Sequence, residues 1–425
     1  MAPAGGLAAT HRAIDAVWRI ESARIIATVA RMVRDVGVAE ELAQDALVSA
    51  LEQWPKQGLP DNAGAWLTAA AKNRALDWLR RSQMLARKHE EIGRELEALG
   101  EPMVPPPDEG ADDEIGDDLL RLVFVACHPV LSREARVALT LRLLGGLTVD
   151  EIARAFLVPE PTIAQRIVRA KRTLAEARVP FEVPRRDELA QRLASVLEVI
   201  YLVFNEGYAA TAGDHWMRPA LCEEAMRLGR ILAGLVPREP EVHGLLALME
   251  IQASRAAARL GPSGEPILLL EQNRARWDRL LIGRGLAGLQ RVDALGGELG
   301  PYALQAAIAA CHARAAVAAE TDWVRIAALY DALSQRAPSP IVELNRAVAL
   351  SMAYGAATGL ALADTLLAEP ALKGYHLLPA VRGDLLDKLG RKDEARAEFE
   401  RAASLTRNGR EQALLLERAR RCGEA

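Results

Sequence analysis

The chain has 425 residues, with 53 Lys and Arg against 57 Asp and Glu, a formal net charge of −4. A length of this order suggests about three domains. A composition half hydrophobic but only 4% aromatic, dominated by alanine, leucine, arginine and glutamate, favours helix over sheet and predicts an all-α fold. The near-neutral balance excludes no class of charged partner, because the charge is unevenly spread: 72–88 and 166–186 are basic and 90–118 is strongly acidic. Cys127, Cys222, Cys311 and Cys422 form no CxxC pair, which points to a reducing compartment without a disulfide framework. The adjacent pairs Cys127-His128 and Cys311-His312 read as buried structural residues, so no metal is expected. The first residues lack the apolar core of a signal peptide and no uncharged run reaches membrane-spanning length. A cytoplasmic protein is expected.

In chain order, Val38 to Trp54 is the first clear helical pattern. Leu42, Ala46, Leu47, Ala50, Leu51 and Trp54 recur at three- and four-residue steps, with Glu40, Glu41, Gln44, Asp45 and Glu52 on the polar side and Pro55 as the stop. PKQGLPDNAG (Pro55–Gly64) is a loop full of breakers. AWLTAAAKNRALDWLRR (Ala65–Arg81) is a second helix: Leu67, Ala71 and Trp78 lie near one face, and Asp77 is spaced to pair with Arg81. Trp66 and Trp78 have the spacing of core residues rather than of base-stacking platforms. Glu101 to Asp118, EPMVPPPDEGADDEIGDD, cannot bury enough apolar surface to fold alone and reads as a flexible acidic linker. LLRLVFVACHPVL and REARVALTLRLLGG follow as two helical segments.

They lead to the most informative stretch, Thr148 to Leu174, TVDEIARAFLVPEPTIAQRIVRAKRTL. Thr148 and Glu151 have capping-box spacing, and Ile152, Ala153 and Phe156 give a short helix an apolar face. Leu157, Val158 and Pro159 break it, and Leu157 stands at a turn position where glycine is frequent. Pro161 suits the first turn of the next helix, in which Ile163, Ile167, Ala170 and Leu174 form one apolar stripe. Thr162, Gln165, Arg166, Arg169 and Arg172 project elsewhere, which is the division of labour a groove-reading helix needs. An amphipathic basic helix after a turn also occurs in proteins that touch no DNA.

PFEVPRR (Pro180–Arg186) marks a boundary, beyond which the chain is helical almost throughout. In Tyr375 to Leu405, Gly383, Gly390, Ala395, Phe399 and Ala402 fall where a helical hairpin needs small residues at crossings and an aromatic in the groove. Trp323–Pro338 and Val342–Leu367 look like degenerate copies, so stacked hairpins are expected. YLVFNEGY (Tyr201–Tyr208) reads, on its residues alone, as a helix end with a glycine cap or as a functional contact.

The order of these motifs resembles the extracytoplasmic-function (ECF) sigma factors of bacteria. DALVSALEQWP is similar to the family's helix for binding polymerase core, AWLTAAAKNRALDWLRR to its −10 helix and LTVDEIARAFLVPEPTIAQRIVRAKRTL to its −35 reader. The remainder resembles the ECF subgroup with a long TPR-like C-terminal extension, on YLVFNEGY, PYALQAAIAACHARAA and APSPIVELNRAVAL. The resemblance implies a region 2-like domain over 12–88, an acidic linker over 89–117, a region 4-like helix-turn-helix over 118–178 and a TPR-like array over 179–425. It implies RNA polymerase core and promoter DNA as partners, and no cofactor. Glu41, Gln44 and Asp45 would face polymerase. Lys56, Asp61 and Asn62 would meet an unstacked −10 base, while Lys72, Asn73, Arg74, Arg80 and Arg81 would hold the opening strand. Thr162, Gln165, Arg166 and Arg169 would read −35 base edges, and Lys171 and Arg172 would clamp phosphates. The C-terminal array would regulate access in cis or bind a protein or peptide. The other reading is a one-component helix-turn-helix regulator with a helical sensor domain. Catalysis has only Asp214-His215 and scattered histidines behind it, so no enzyme is expected.

Overall fold

The computed structural model describes residues 4–93, 113–156, 158–209, 217–262 and 265–423. Among these residues there are 18 α-helices and no strand, in line with the all-α expectation. Most of the acidic linker and Leu157 lie outside the described residues, as do Asp214 and His215. The chain divides into two compact units, Met1–Val199 and Ile200–Ala425.

In the first unit, α1 (Ala4–Val33), α2 (Val36–Gln57) and α3 (Ala63–Gly93) pack on one another, and α1 also packs on α4 (Asp113–Ala126). α2 starts where the Asp35 carboxylate accepts the N–H groups of Gly37 and Val38, at 2.7 and 3.0 Å. It does not stop at Pro55, as the sequence suggested, but runs on to Gln57 and ends at Gly58, whose φ of +89° suits glycine. Proline removes the bond to the Leu51 carbonyl, but Leu51 lies at the surface, where water can take that carbonyl. Leu42, Ala46, Ala50 and Trp54 are buried as expected, whereas Glu40 is buried too, at 3% exposure, and not on the solvated face. α3 starts two residues early, capped by Asn62, whose Oδ1 accepts the Ala65 N–H at 2.9 Å. Leu67, Ala71 and Ala75 form its buried face, and Trp66 packs edge-on against Trp54 at 5.3 Å. Asp77 pairs with Arg80 at 3.2 Å, one position short of the expected Arg81.

The segment LLRLVFVACHPVL is helical only as far as Ala126. α5 (Arg133–Leu143), α6 (Val149–Phe156) and α7 (Glu160–Glu176) then form a small helical group, since α7 packs on both α5 and α6. The unit boundary falls inside α8 (Arg186–Tyr208). Its first half belongs to the first unit: Ser195 donates to the Cys127 carbonyl at 2.7 Å, Arg192 donates to the Phe124 carbonyl at 3.1 Å, and Glu198 takes Arg133 and Arg136.

In the second unit, α9 (Pro219–Leu235), α10 (Pro240–Ala253), α11 (Arg279–Leu295), α12 (Pro301–Arg314), α13 (Trp323–Arg336) and α14 (Pro340–Tyr354) each pack on the next helix. α15 (Ala356–Thr365), α16 (Leu377–Lys388), α17 (Lys392–Leu405) and α18 (Gly409–Gly423) continue this array of hairpins. At the α16–α17 crossing a Cβ on Gly383 would come within 2.8 Å of the Phe399 ring, so a larger residue would push the helices apart. Gly207 is not a helix cap: it lies inside α8, and a Cβ there would meet the Cys222 backbone nitrogen of α9 at 2.6 Å. All four cysteines are free and buried; burial pushes the Cys127 thiol up to about 11 and Cys222 up to about 12.

Candidate nucleic-acid and polymerase interface

The helix-turn-helix is fixed at its start by the capping box. The Glu151 carboxylate accepts the Thr148 N–H at 2.8 Å, and the Thr148 hydroxyl accepts the Glu151 N–H at 3.1 Å. Ile152 and Ala153 of α6 are buried, as are Ile163, Ile167, Ala170 and Leu174 of α7. That buried stripe sets the rotation of α7 and so decides which side chains reach solvent. Gln165, Arg169 and Arg172 are exposed, and Thr162 and Arg166 are half-buried. Arg172 reaches Glu176 at 3.5 Å in an exposed i,i+4 pair that holds it weakly. Val168 stands among them at 64% exposure, an apolar side chain of the kind that can meet a thymine methyl.

On α3, Lys72, Asn73, Arg80 and Arg81 are exposed. Arg74 is not: it is half-buried and donates to the Ser49 hydroxyl of α2, which turns it into a brace between two helices. Lys56 and Asp61 are exposed on either side of Gly58. Asn62 is exposed as well, with its amide oxygen already given to the α3 cap.

On α2, Glu41 and Asp45 are exposed, and Val48 and Leu51 lie beside them at 50% and 37% exposure. Spacing alone marked Leu51 as core and passed over Val48. The signal for Val48 was available only in position: 41, 45, 48 and 52 form one i, i+4, i+7, i+11 row. Gln44 faces inward and donates to Glu40 at 2.6 Å.

Glu40 is the centre of a buried charge cluster. Arg142 of α5 donates its Nε to Glu40 Oε1 at 2.6 Å. Lys171 of α7 brings its ammonium within 2.5 Å of Glu40 Oε2, off the axis of a hydrogen bond, as a close ion pair. Lys171 therefore does not stand free as a phosphate clamp; it is four-fifths buried against α2. A second tie joins α1 to α4, where Asp118, 2% exposed, takes Arg31 at 3.2 Å and Arg121 at 2.6 Å. A third joins Arg19 of α1 to Glu151 at the capping box. The two halves of the first unit are thus clasped by carboxylates that each serve more than one donor.

Comparison with known proteins agrees with this division. Residues 19–84, over α1 to α3, match the family Sigma-70 region 2, and residues 121–174, over α4 to α7, match Sigma-70, region 4. Residues 192–293 match a family of unknown function, DUF6596. An uncharacterized protein of Rhizobium meliloti is 44% identical over 386 residues, 91% of this chain and 90% of its own. The probable ECF RNA polymerase sigma factor SigI of Mycobacterium tuberculosis is 29% identical over 173 residues, 41% of this chain and 58% of its own. The ECF RNA polymerase sigma factor SigK of Mycobacterium ulcerans is 31% identical over 155 residues, 36% of this chain and 78% of its own. Two promoter-type helical modules in this order define a sigma factor. The chain belongs to the extracytoplasmic-function class of RNA polymerase sigma factors, a class of non-enzymatic transcription factors. Among the described residues no helix is long and apolar enough to cross a membrane.

Proposed function

We propose that this sigma factor engages RNA polymerase core through the α2 row of Glu41, Val48 and Asp45, and reads promoter DNA with two separate helices. On α7, Thr162, Gln165, Arg166 and Arg169 address base edges, while Arg172 addresses a phosphate. On α3, Lys72, Asn73, Arg80 and Arg81 hold the backbone of the melting strand, with Lys56, Asp61 and Asn62 at its turn. The observation that carries this reading is the rotation of α7, with four apolar residues buried and its amide and guanidinium groups outward.

Elements at −10 and −35 are centred about 25 base pairs apart, which is roughly 85 Å of B-DNA at about 3.4 Å per base pair. A module of some 65 residues has a radius of gyration of about 11 Å. Modules clasped through Glu40 fall short of that distance, which supports reading the clasped arrangement as a closed form whose opening frees Lys171 for DNA and Gln44 for polymerase. The C-terminal unit, fused at an effective concentration on the order of millimolar, controls that access.

Reconstituted transcription with core polymerase on a promoter library tests the reading. Arg166→Ala is expected to cost about 1–3 kcal/mol at one position of the −35 element and little elsewhere. Equal weakening on every sequence would remove Arg166 from base reading. Ending the chain after Val183 would discard the α8 residues that brace the first unit, so the control of access is read by ending it after Val199. If that shortened chain matches the full chain in polymerase binding and transcription, the C-terminal unit has no such role.

A further inference from the structure

Among the described residues, the second unit holds a half-buried guanidinium, Arg255, and a buried one, Arg274, neither of which is hydrogen-bonded to a carboxylate, although Glu320 lies near enough to Arg274 to favour its charge. The side chain of Arg255, just beyond α10, makes no hydrogen bond or ion pair with any described residue. Its guanidinium lies 5.7 Å from the ring centre of Tyr208 and 5.9 Å from that of Trp277, and its Nε is enclosed without an acceptor. Arg274 is 4% exposed. Its two Nη groups donate to the carbonyls of His312 and Ala315 and to the Thr321 hydroxyl, at 2.7, 2.9 and 2.8 Å, yet its Nε is enclosed and unmatched. Its guanidinium carbon is 5.0 Å from the ring centre of Trp277, whose indole Nε1 is the third enclosed donor without an acceptor. His312 closes the group: burial first, then Arg255 and Arg274, push its imidazole down to about 3, so it adds no charge at neutral pH, and its Nδ1 is also unmatched.

Aromatic faces offset part of the cost of burying a guanidinium, but they accept no N–H bond in its plane. Water could accept those bonds, yet it brings no charge to offset the buried Arg274 and the half-buried Arg255 beside it. An oxyanion does both, because a carboxylate or phosphate group presents several lone pairs to guanidinium edges and carries the missing charge. The positive field disfavours a metal ion or an amine, and the three unmatched donors disfavour a purely apolar guest.

We infer that Arg255, Arg274 and Trp277 form a binding site for one oxyanion, a carboxylate or phosphate group, taken by the unmatched N–H groups of the two guanidinium edges and the indole. The inference is independent of promoter reading, because its readout needs neither polymerase nor DNA. The experiment is calorimetric titration of the full-length protein with sodium phosphate and, separately, with sodium acetate, against sodium chloride at matched ionic strength. Saturable one-to-one binding of at least one oxyanion is expected, and the arm that saturates names the group. Arg255→Gln should weaken that binding about tenfold or more, since it removes a charged donor. Trp277→Phe keeps the ring but not the N–H, and should weaken it several-fold even if the arginine variant fails to fold. No saturable heat with either oxyanion overturns the site, as does binding unchanged in the tryptophan variant.

Discussion

Glu40 in the first unit and Arg274 in the second are almost equally buried, at 3% and 4% exposure, but their neighbours differ in kind. Glu40 is met by Arg142, Lys171 and Gln44, so its charge is neutralised within the chain: Oε1 accepts from Arg142 and Gln44, and Oε2 is held by Lys171 as an ion pair alone. Arg274 and nearby Arg255 each keep an enclosed Nε that no described residue accepts from. A cluster that is complete locks helices together. One that is incomplete keeps a preference for something outside itself. The difference follows from charge balance, since removing one member of a complete buried set strands its partners, whereas replacing an unmet charge relieves the fold.

The sharpest way to break the comparison is Glu40→Leu. It leaves Arg142 and Lys171 without their carboxylate and should lower stability of the first unit by about 3–5 kcal/mol in urea unfolding. A loss under about 1 kcal/mol would mean that water already serves these cations. Arg255→Leu should act in the opposite direction in buffer free of oxyanions, raising stability of the second unit by about 1–4 kcal/mol. A clear loss there would show that Arg255 is already compensated. Acid sharpens the contrast further. His312 titrates at about 3 in the fold but near 6.5 when unfolded, so the unfolded chain binds the extra proton between those values. The histidine's contribution is therefore whole above pH 6.5 and drains away as pH falls toward 3, by about 1.4 kcal/mol per unit while the difference lasts. His312→Phe, which keeps a ring beside Trp323, should flatten this part of the pH-stability curve. The smallest effect is Asp150→Ala, which removes an exposed i,i+4 pair with Arg154 and should cost no more than about 0.5 kcal/mol.

Local chemistry in the sequence announced what local chemistry can: the Thr148–Glu151 cap, the α7 stripe and the Gly383–Phe399 crossing all depend on residues within a few turns of each other. Glu40 was unreadable because it sits among polar neighbours on its own helix, and its partners Arg142 and Lys171 lie more than a hundred positions on. Lys171 and Arg74 looked like phosphate donors for the same reason; only the packing of α2 shows that each is spent on a neighbouring helix. Gly207 and Pro55 misled in another way. Each has a common local meaning, cap and stop, that a close helix approach and an exposed carbonyl override. The exposed residues of the interface, from Glu41 to Arg169, were legible as types, but their outward direction came from which apolar residues the core claimed.

The burial of all four cysteines has a practical consequence. With their thiols held high, as for Cys127 and Cys222, they are almost wholly protonated at neutral pH and out of reach of oxidants and alkylating reagents. Labelling can then proceed only when the surrounding helices part. Cys127 in the first unit and Cys222, Cys311 and Cys422 along the second would act as built-in timers, each reporting by mass how often its own stretch breathes.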